Sequence, residues 1–203
     1  MADRERRQVG RPATIEAPRE TILAKAASLF ATTGYETTSL QDVAKAVGIS
    51  KAAVYHYFAT KQQIYDEIVV AMLQDLEVFV SERIDKADRI EDKIRVFMVA
   101  HATFMEENFT EFVTLLHGHG GTSRVRSPGE IAARDSYETV LRTMLQHSHD
   151  RGELDIENVA SASRAILSTL NWMSRWFRPD GERRASEFAN EYFEILYNGL
   201  RHR

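Results

Sequence analysis

Thr38-Ser39-Leu40-Gln41-Asp42-Val43-Ala44-Lys45-Ala46-Val47-Gly48-Ile49-Ser50-Lys51-Ala52-Ala53-Val54-Tyr55-His56-Tyr57-Phe58 is the stretch whose reading decides the fold. Thr38 and Ser39, followed by Gln41 and Asp42, supply a capping box at a helix start. Leu40, Val43, Ala44 and Val47 then make one apolar stripe, and Gly48 stops the helix. Ser50 caps a second short helix, Lys51 to Tyr57, whose Val54 and Phe58 turn inward together with Ile49. Two short capped helices around a Gly-containing turn of about four residues make a helix-turn-helix. Burying its stripe holds the second helix proud, with Lys51, Ala52, Ala53, Tyr55, His56 and Tyr57 outward. Tyr55 and Tyr57 stand two positions apart, so they cannot share the outward direction equally. Ala52 and Ala53 allow the backbone close to base edges and pack on thymine methyls, while Lys51 and the tyrosine hydroxyls reach base acceptors or phosphates. Thr38, Ser39, Ser50 and the helix start at Lys61 complete the expected DNA-contacting set, since helix N-termini present free N–H groups to phosphate.

Working outward, Ile22, Ala26, Leu29 and Phe30 repeat at helical spacing behind Pro18, so a first helix is expected from about Arg19 to Thr33 before Gly34. Residues 1–17 lack periodicity and read as a flexible arm. Its Arg4, Arg6, Arg7 and Arg11 either enter an adjacent minor groove or form a solvated tail. Thr60-Lys61-Gln62-Gln63 is another capping box, opening a longer helix through Ile64, Ile68, Met72, Leu76 and Phe79. Five more helices are expected at about Glu91–Asn108, Glu111–His117, Pro128–Arg151, Glu157–Phe177 and Arg183–Arg201. The predicted fold is all-α with about nine helices: a three-helix DNA-binding domain at 18–61 and a larger helical domain at 62–203.

Charge is unevenly divided. Residues 1–61 hold nine Lys/Arg against six Asp/Glu, and residues 62–203 hold seventeen against twenty-four. Only the first part attracts a polyanion, so nucleic-acid contact must be local. The chain has no cysteine, which excludes disulfides, thiolate metal clusters and thiol nucleophiles. The longest apolar run, Ile68 to Leu73, is far below the roughly 20 residues of a membrane span, and no signal peptide is visible, so a cytoplasmic protein is expected.

Gly34-Tyr35-x-x-Thr38-Ser39-Leu40-x-Asp42-Val43-Ala44-x-x-Val47-Gly48-Ile49-Ser50-x-Ala52-x-Val54-Tyr55-x-Tyr57-Phe58-x-x-Lys61 closely resembles the TetR family of bacterial transcriptional regulators, over about 45 nearly unbroken residues. The resemblance implies a three-helix DNA-binding head, a larger all-helical ligand-binding domain, a homodimer built from the last two helices, and repression relieved by a small molecule. Gln62-Gln63 departs from the pattern, because the family commonly has an acidic residue after the lysine. Trp172-Met173-x-Arg175-Trp176-Phe177-Arg178-Pro179-x-Gly181 is similar to the end of the penultimate helix in members that sense acyl-CoA.

In the second domain, Met98, His101, Phe104, Met105, Phe109, Phe112, Leu115 and Leu116 lie at helical spacing and suit an apolar ligand or an ordinary core. Leu141, Met144 and Leu145, then Leu167, Leu170, Asn171, Ser174 and Phe177, supply further walls. A CoA thioester would also need cations, for which Arg134, Arg142, Arg175 and Arg178 qualify; the alternative effector is an unmodified aromatic or lipophilic compound. Phe188, Tyr192, Ile195, Leu196 and Gly199 form an apolar stripe on the last helix that, with Trp172 and Trp176, is expected to close a four-helix bundle around a two-fold axis. His101, His117 and His119 with Glu106 and Glu107 make a weak case for metal, and His147 with His149 reads as a solvated helix end. No nucleophile elbow or phosphate loop is present. The expected protein is therefore no enzyme and has no cofactor. Its partners are operator DNA, a small-molecule effector and a second copy of the chain; the rival reading is a helical scaffold or enzyme with a vestigial head.

Overall fold

The computed structural model describes residues 18–117 and 126–200, with backbone alone at 114–117 and 199–200. Arg11 and the rest of the arm lie outside it. Among the described residues there are nine helices and no strand: α1 (Pro18–Thr33), α2 (Leu40–Val47), α3 (Lys51–Tyr57), α4 (Lys61–Ile84), α5 (Ile90–Glu107), α6 (Phe109–His117), α7 (Pro128–Asp150), α8 (Val159–Met173) and α9 (Ala185–Leu200).

Short polar side chains decide where the helices near the turn begin. Ser39 Oγ accepts the Asp42 N–H at 3.2 Å and Asp42 accepts the Ser39 N–H at 3.0 Å, a reciprocal box that starts α2. These bonds, the Ser39 hydroxyl foremost, hold the Asp42 carboxyl below its ordinary range. Gly48 ends α2 at φ 81°, its N–H directed at the Ala44 and Lys45 carbonyls. A Cβ at Gly48 would meet nothing within 4 Å. A Gly48→Ala chain should therefore lose only the cost of left-handed backbone, about 1–2 kcal/mol. Urea denaturation measures this, and a loss twice as large would mean that the turn depends on more than φ.

Because its buried residues run its whole length, from Ile64 and Tyr65 to Val80 and Ile84, α4 serves both parts of the molecule. At its start it packs on α1, and further along on α5, α6 and α7. The junction with the head is an aromatic trio: Phe30 and Tyr35 meet edge-on at 5.2 Å, Tyr35 and Tyr65 at 5.1 Å. No linker separates the two regions, since one unbroken helix crosses between them.

The helix expected to reach Phe177 stops instead at Met173. Beyond it the chain tightens: Arg175 N–H donates to Trp172 O at 3.0 Å and Trp176 N–H to Met173 O at 3.1 Å. Pro179 disfavours helical backbone at Arg178, and the last turn winds up in three-residue steps ahead of it. The last helix also divides its apolar residues differently from the expected single stripe. Ala185, Ala189 and Phe193 form its fully buried edge, and α9 packs mainly on α5. Phe188, Tyr192 and Leu196 are half-buried beside that edge, whereas Ile195 is 70% exposed.

Candidate nucleic-acid interface and ligand pocket

Val54 and Phe58 are fully buried beneath α3, with Leu40, Val43 and Ala44 of α2 buried alongside. That packing leaves Ser50, Lys51, Ala52, Tyr55, His56 and Tyr57 exposed and Ala53 half-exposed, so the α3 residues expected to read DNA share one accessible surface. Tyr55 is 49% and Tyr57 36% exposed: both face out, unequally. Lys51 Nζ lies 5.7 Å from the Tyr55 ring centre, and His56 stands edge-on to Tyr57 at 5.2 Å. Ser50 Oγ accepts the Ala53 N–H at 3.1 Å and caps the helix.

The polar residues flanking the two helices have internal work as well. Thr38 is buried and its hydroxyl donates to Gly34 O at 2.8 Å, while the exposed Ser39 hydroxyl donates to Asp42 at 2.6 Å. Lys61 Nζ donates to the carbonyls of Tyr35 at 2.6 Å, Glu36 at 3.3 Å and Thr38 at 2.9 Å, and lies 4.2 Å from the Tyr35 ring centre. It pins the loop entering α2 onto the start of α4. Thr60 Oγ1 accepts the Gln63 N–H at 3.1 Å, but Gln63 Oε1 accepts the N–H of Ala59, at 3.0 Å, and not that of Thr60, so the capping box expected at the start of α4 is only half formed. In the sequence Tyr35 and Arg19 read only as part of the family motif and as a helix start, with no contact assigned to either. The Tyr35 hydroxyl donates to Gln62 at 3.1 Å; the Arg19 guanidinium lies 5.3 Å from the Phe58 ring centre and pairs with Glu67.

A cavity of about 310 Å³ opens between α4, α5, α7 and α8. Leu73, Leu76 and Leu167 give it apolar wall, His101, Tyr137 and Asn171 give it polar wall, and Arg126, Arg134 and Arg164 bring cations to it. Carboxylates meet that charge: Arg164 lies 3.8 Å from Glu138, the buried Glu130 takes Arg134 at 3.0 Å and Arg126 at 3.6 Å, and Asp135 is also on the lining. Of the expected ligand contacts, the structure brings His101, Leu167, Asn171 and Arg134 to this cavity. Met98, Phe104, Met105, Phe112, Leu141, Leu145 and Leu170 are buried in the surrounding core. Met144 borders a separate hollow of about 220 Å³ with Lys93, His147 and Arg151. Ser174 and Phe177 are buried past the end of α8, Arg175 is exposed 5.7 Å from the Trp172 ring, and Arg142 pairs with Glu138. Arg178 lies in a third hollow with Trp176 and Phe188. The side chains of Leu115, Leu116 and His117, the surroundings of Gly199, and all of His119 fall outside the described residues. Tyr137 was foreshadowed by its place one turn before Leu141 and two before Leu145; Arg126 and Arg164 carried no such signal.

On the expected dimer face, Trp172 is 64%, Trp176 40% and Ile195 70% exposed. Trp176 also meets Phe188 edge-on at 5.0 Å, tying the end of α8 to α9 within the chain.

Two family models match. Residues 22–68 fit the bacterial regulatory proteins of the tetR family, and residues 87–200, more than half the chain, fit the tetracyclin repressor-like C-terminal domain. The chain belongs to the TetR family of bacterial transcriptional regulators. The TetR-family regulator PfmR from Thermus thermophilus is 43% identical, with 89% of this chain and 99% of that one covered and a TM-score of 0.78. The repressor KstR2 of Mycobacterium tuberculosis is 25% identical over 92% of this chain and 94% of its own length. The structure of AibR with isovaleryl coenzyme A and operator DNA has the same fold: TM-score 0.78, 23% identity, 89% of this chain and 98% of that one. As in a TetR-family protein generally, the helix-turn-helix reads as a DNA-binding head. No helix among the described residues is long and apolar enough to cross a membrane.

Within this TetR-family core the titratable groups His101 and Tyr137 are both strongly perturbed. His101 is 1% exposed, its Nδ1 lies 2.8 Å from the Tyr137 hydroxyl, and burial pushes its pKa down to about 3 against a small opposing effect of Asn171. Burial, then the charge of Glu77, raises the Tyr137 phenol. The sign for stability follows directly. Below pH 6.5 the unfolded chain takes up a proton on His101 that the native chain refuses until about pH 3, so stability is lost as pH falls through that window. Between pH 7 and pH 5 the loss from this one group is about 2 kcal/mol. His101→Gln should flatten the urea-derived stability profile over that interval by this amount; an unaltered slope would mean that the imidazole is solvated.

Proposed function

We propose that the chain is a transcriptional repressor that grips a palindromic operator as a homodimer and releases it when a small hydrophobic or acyl-CoA-like effector fills the cavity between α4, α5, α7 and α8. Residues 18–61 read DNA and residues 62–203 sense the effector and dimerise. One observation carries the reading. The helix that lines the cavity with Leu73 and Leu76 is the helix whose first residue, Lys61, clamps the loop into α2. A change in the cavity that tilts α4 therefore moves the recognition helix. A second path runs through α6, which packs on both α1 and α4.

Trp172, Trp176 and Ile195 offer the apolar surface for a two-fold partner, and Phe188, Tyr192 and Leu196 border it. Two-fold symmetry sets the two α3 helices one DNA turn apart, roughly 34 Å, so that they enter successive major grooves. The three arginines at the cavity suit a phosphorylated carrier, and AibR is a fold relative seen with isovaleryl coenzyme A. Moving the population from 1:99 to 99:1 requires the effector to prefer the released state by about 5.5 kcal/mol. The reading places the protein in the cytoplasm with its operator. The test is a mobility shift on DNA upstream of the protein's own coding sequence, with salt and with acyl-CoAs, free acids and aromatic compounds. A sequence-preferring, salt-sensitive complex that one ligand class dissolves is expected; no such complex in any ligand state would end the proposal.

A further inference from the structure

The wall of the cavity holds a buried polar atom whose protonation can be worked out from its neighbours. His101 is buried and lines the cavity; Nδ1 faces the Tyr137 hydroxyl at 2.8 Å, and Nε2 is buried with no hydrogen-bond partner among the described residues. Among the described residues the Tyr137 hydroxyl bonds only that nitrogen. If Nδ1 carried the ring proton and donated it, both the buried phenol proton and the Nε2 lone pair would be left unpaired, whereas with the ring proton on Nε2 only that N–H is. The hydroxyl therefore donates to Nδ1, and the neutral ring carries its proton on Nε2. Asn171 shares that wall and acts on the ring as a weak hydrogen-bonding neighbour that raises its pKa, but it does not meet strict hydrogen-bond geometry with Nε2.

We infer that His101 offers the effector one buried N–H donor, so that the cavity selects a ligand carrying an acceptor oxygen inside its apolar part, a thioester carbonyl in particular, with Tyr137 as the positioning residue that sets the tautomer. The inference rests on the effector reading above. The layout gives the ligand a polarity: an anionic portion across Arg126, Arg134 and Arg164, hydrocarbon against Leu73, Leu76 and Leu167, and the carbonyl oxygen between them at Nε2. A cavity of about 310 Å³ takes the acyl and thioester end and leaves the nucleotide at the arginines. A site built around an otherwise unpaired donor discriminates strongly against an analogue that lacks the acceptor, because the donor is then buried for nothing.

Titration calorimetry with isovaleryl-CoA and with its S-isopentyl thioether, which lacks only the carbonyl oxygen, tests this. The thioester should bind at least tenfold more tightly to the unaltered protein. That ratio should fall toward one in His101→Phe, survive in part in His101→Gln, whose amide can still donate, and shrink in Tyr137→Phe, where the tautomer is no longer set. Histidine ¹⁵N NMR of the unaltered protein at neutral pH should show His101 protonated on Nε2, which keeps the test alive if the phenylalanine variant fails to fold. Equal affinities for thioester and thioether, or a proton on Nδ1, would overturn this inference and leave the effector reading standing. If neither compound binds protein that still holds its operator, the thioester reading falls and this inference falls with it.

Discussion

An Ile195→Glu chain is expected to sediment as a monomer, keep its helical content, and bind operator at least a hundredfold more weakly. Ile195 is 70% exposed on α9 and Trp172 64% exposed on α8, so neither owes its place to the core of its own chain. Large apolar side chains left out on adjacent helices at the end of a chain call for a partner. In a two-fold contact each residue is used twice, so one substitution removes two isoleucines. Burying an isoleucine contributes about 1.5–3 kcal/mol, and the variant must in addition desolvate two carboxylates. The effect on DNA follows from geometry, because a lone head loses the second half-site and with it an avidity on the order of 10²–10⁴. Val78→Glu is the matched control: Val78 is 57% exposed on α4, not on the α8 and α9 surfaces assigned to the partner, and the change should leave both mass and affinity unaltered. Analytical ultracentrifugation and mobility shift read the two quantities independently. If Ile195→Glu remained dimeric with unaltered affinity, the assignment of this face to the partner would be wrong.

How far the sequence could be read depends on whether the deciding interaction is local. The capping residues Ser39, Ser50 and Thr60 act within three positions of themselves, and the buried set Leu40, Val43, Val54 and Phe58 follows a single helical period, so the head was legible residue by residue. Pro179 announced a stop after α8, but not how many residues earlier the helix would tighten. On α9 the apolar residues cover more than one face, and period alone could not say that Ala185, Ala189 and Phe193 turn to α5 while Ile195 turns out. The cavity was harder still. Its wall is drawn from four helices, and Arg126 and Arg164 meet there only because α7 and α8 fold against each other. Lys61 shows the same limit: the three carbonyls it holds lie 23 to 26 positions away, and a helix-start lysine resembles a phosphate contact until its partners are known.

That last distinction can be settled by comparing two lysines. Lys51→Ala is expected to leave folding stability within about 0.5 kcal/mol of the unaltered chain, because Lys51 is exposed and only approaches the Tyr55 ring. Its operator affinity should fall, and the slope of log affinity against log salt should shrink by about two in a dimer, one phosphate contact for each protomer. Lys61→Met should behave in the opposite way. It keeps the length of the side chain but removes the ammonium that satisfies the carbonyls of Tyr35, Glu36 and Thr38. Hydrogen bonds to a charged donor contribute about 1.5–3 kcal/mol each when well formed, and partial exposure of the lysine discounts the set, so a loss of about 2–4 kcal/mol is expected in urea denaturation. Operator affinity should fall as well, since the loop into α2 loses its anchor and α3 is no longer held in one orientation, but the salt slope should stay where it was. A Lys61→Met protein of undiminished stability whose salt slope drops by two would place this lysine on the DNA instead, and the clamp would then be an idle contact of the unbound head.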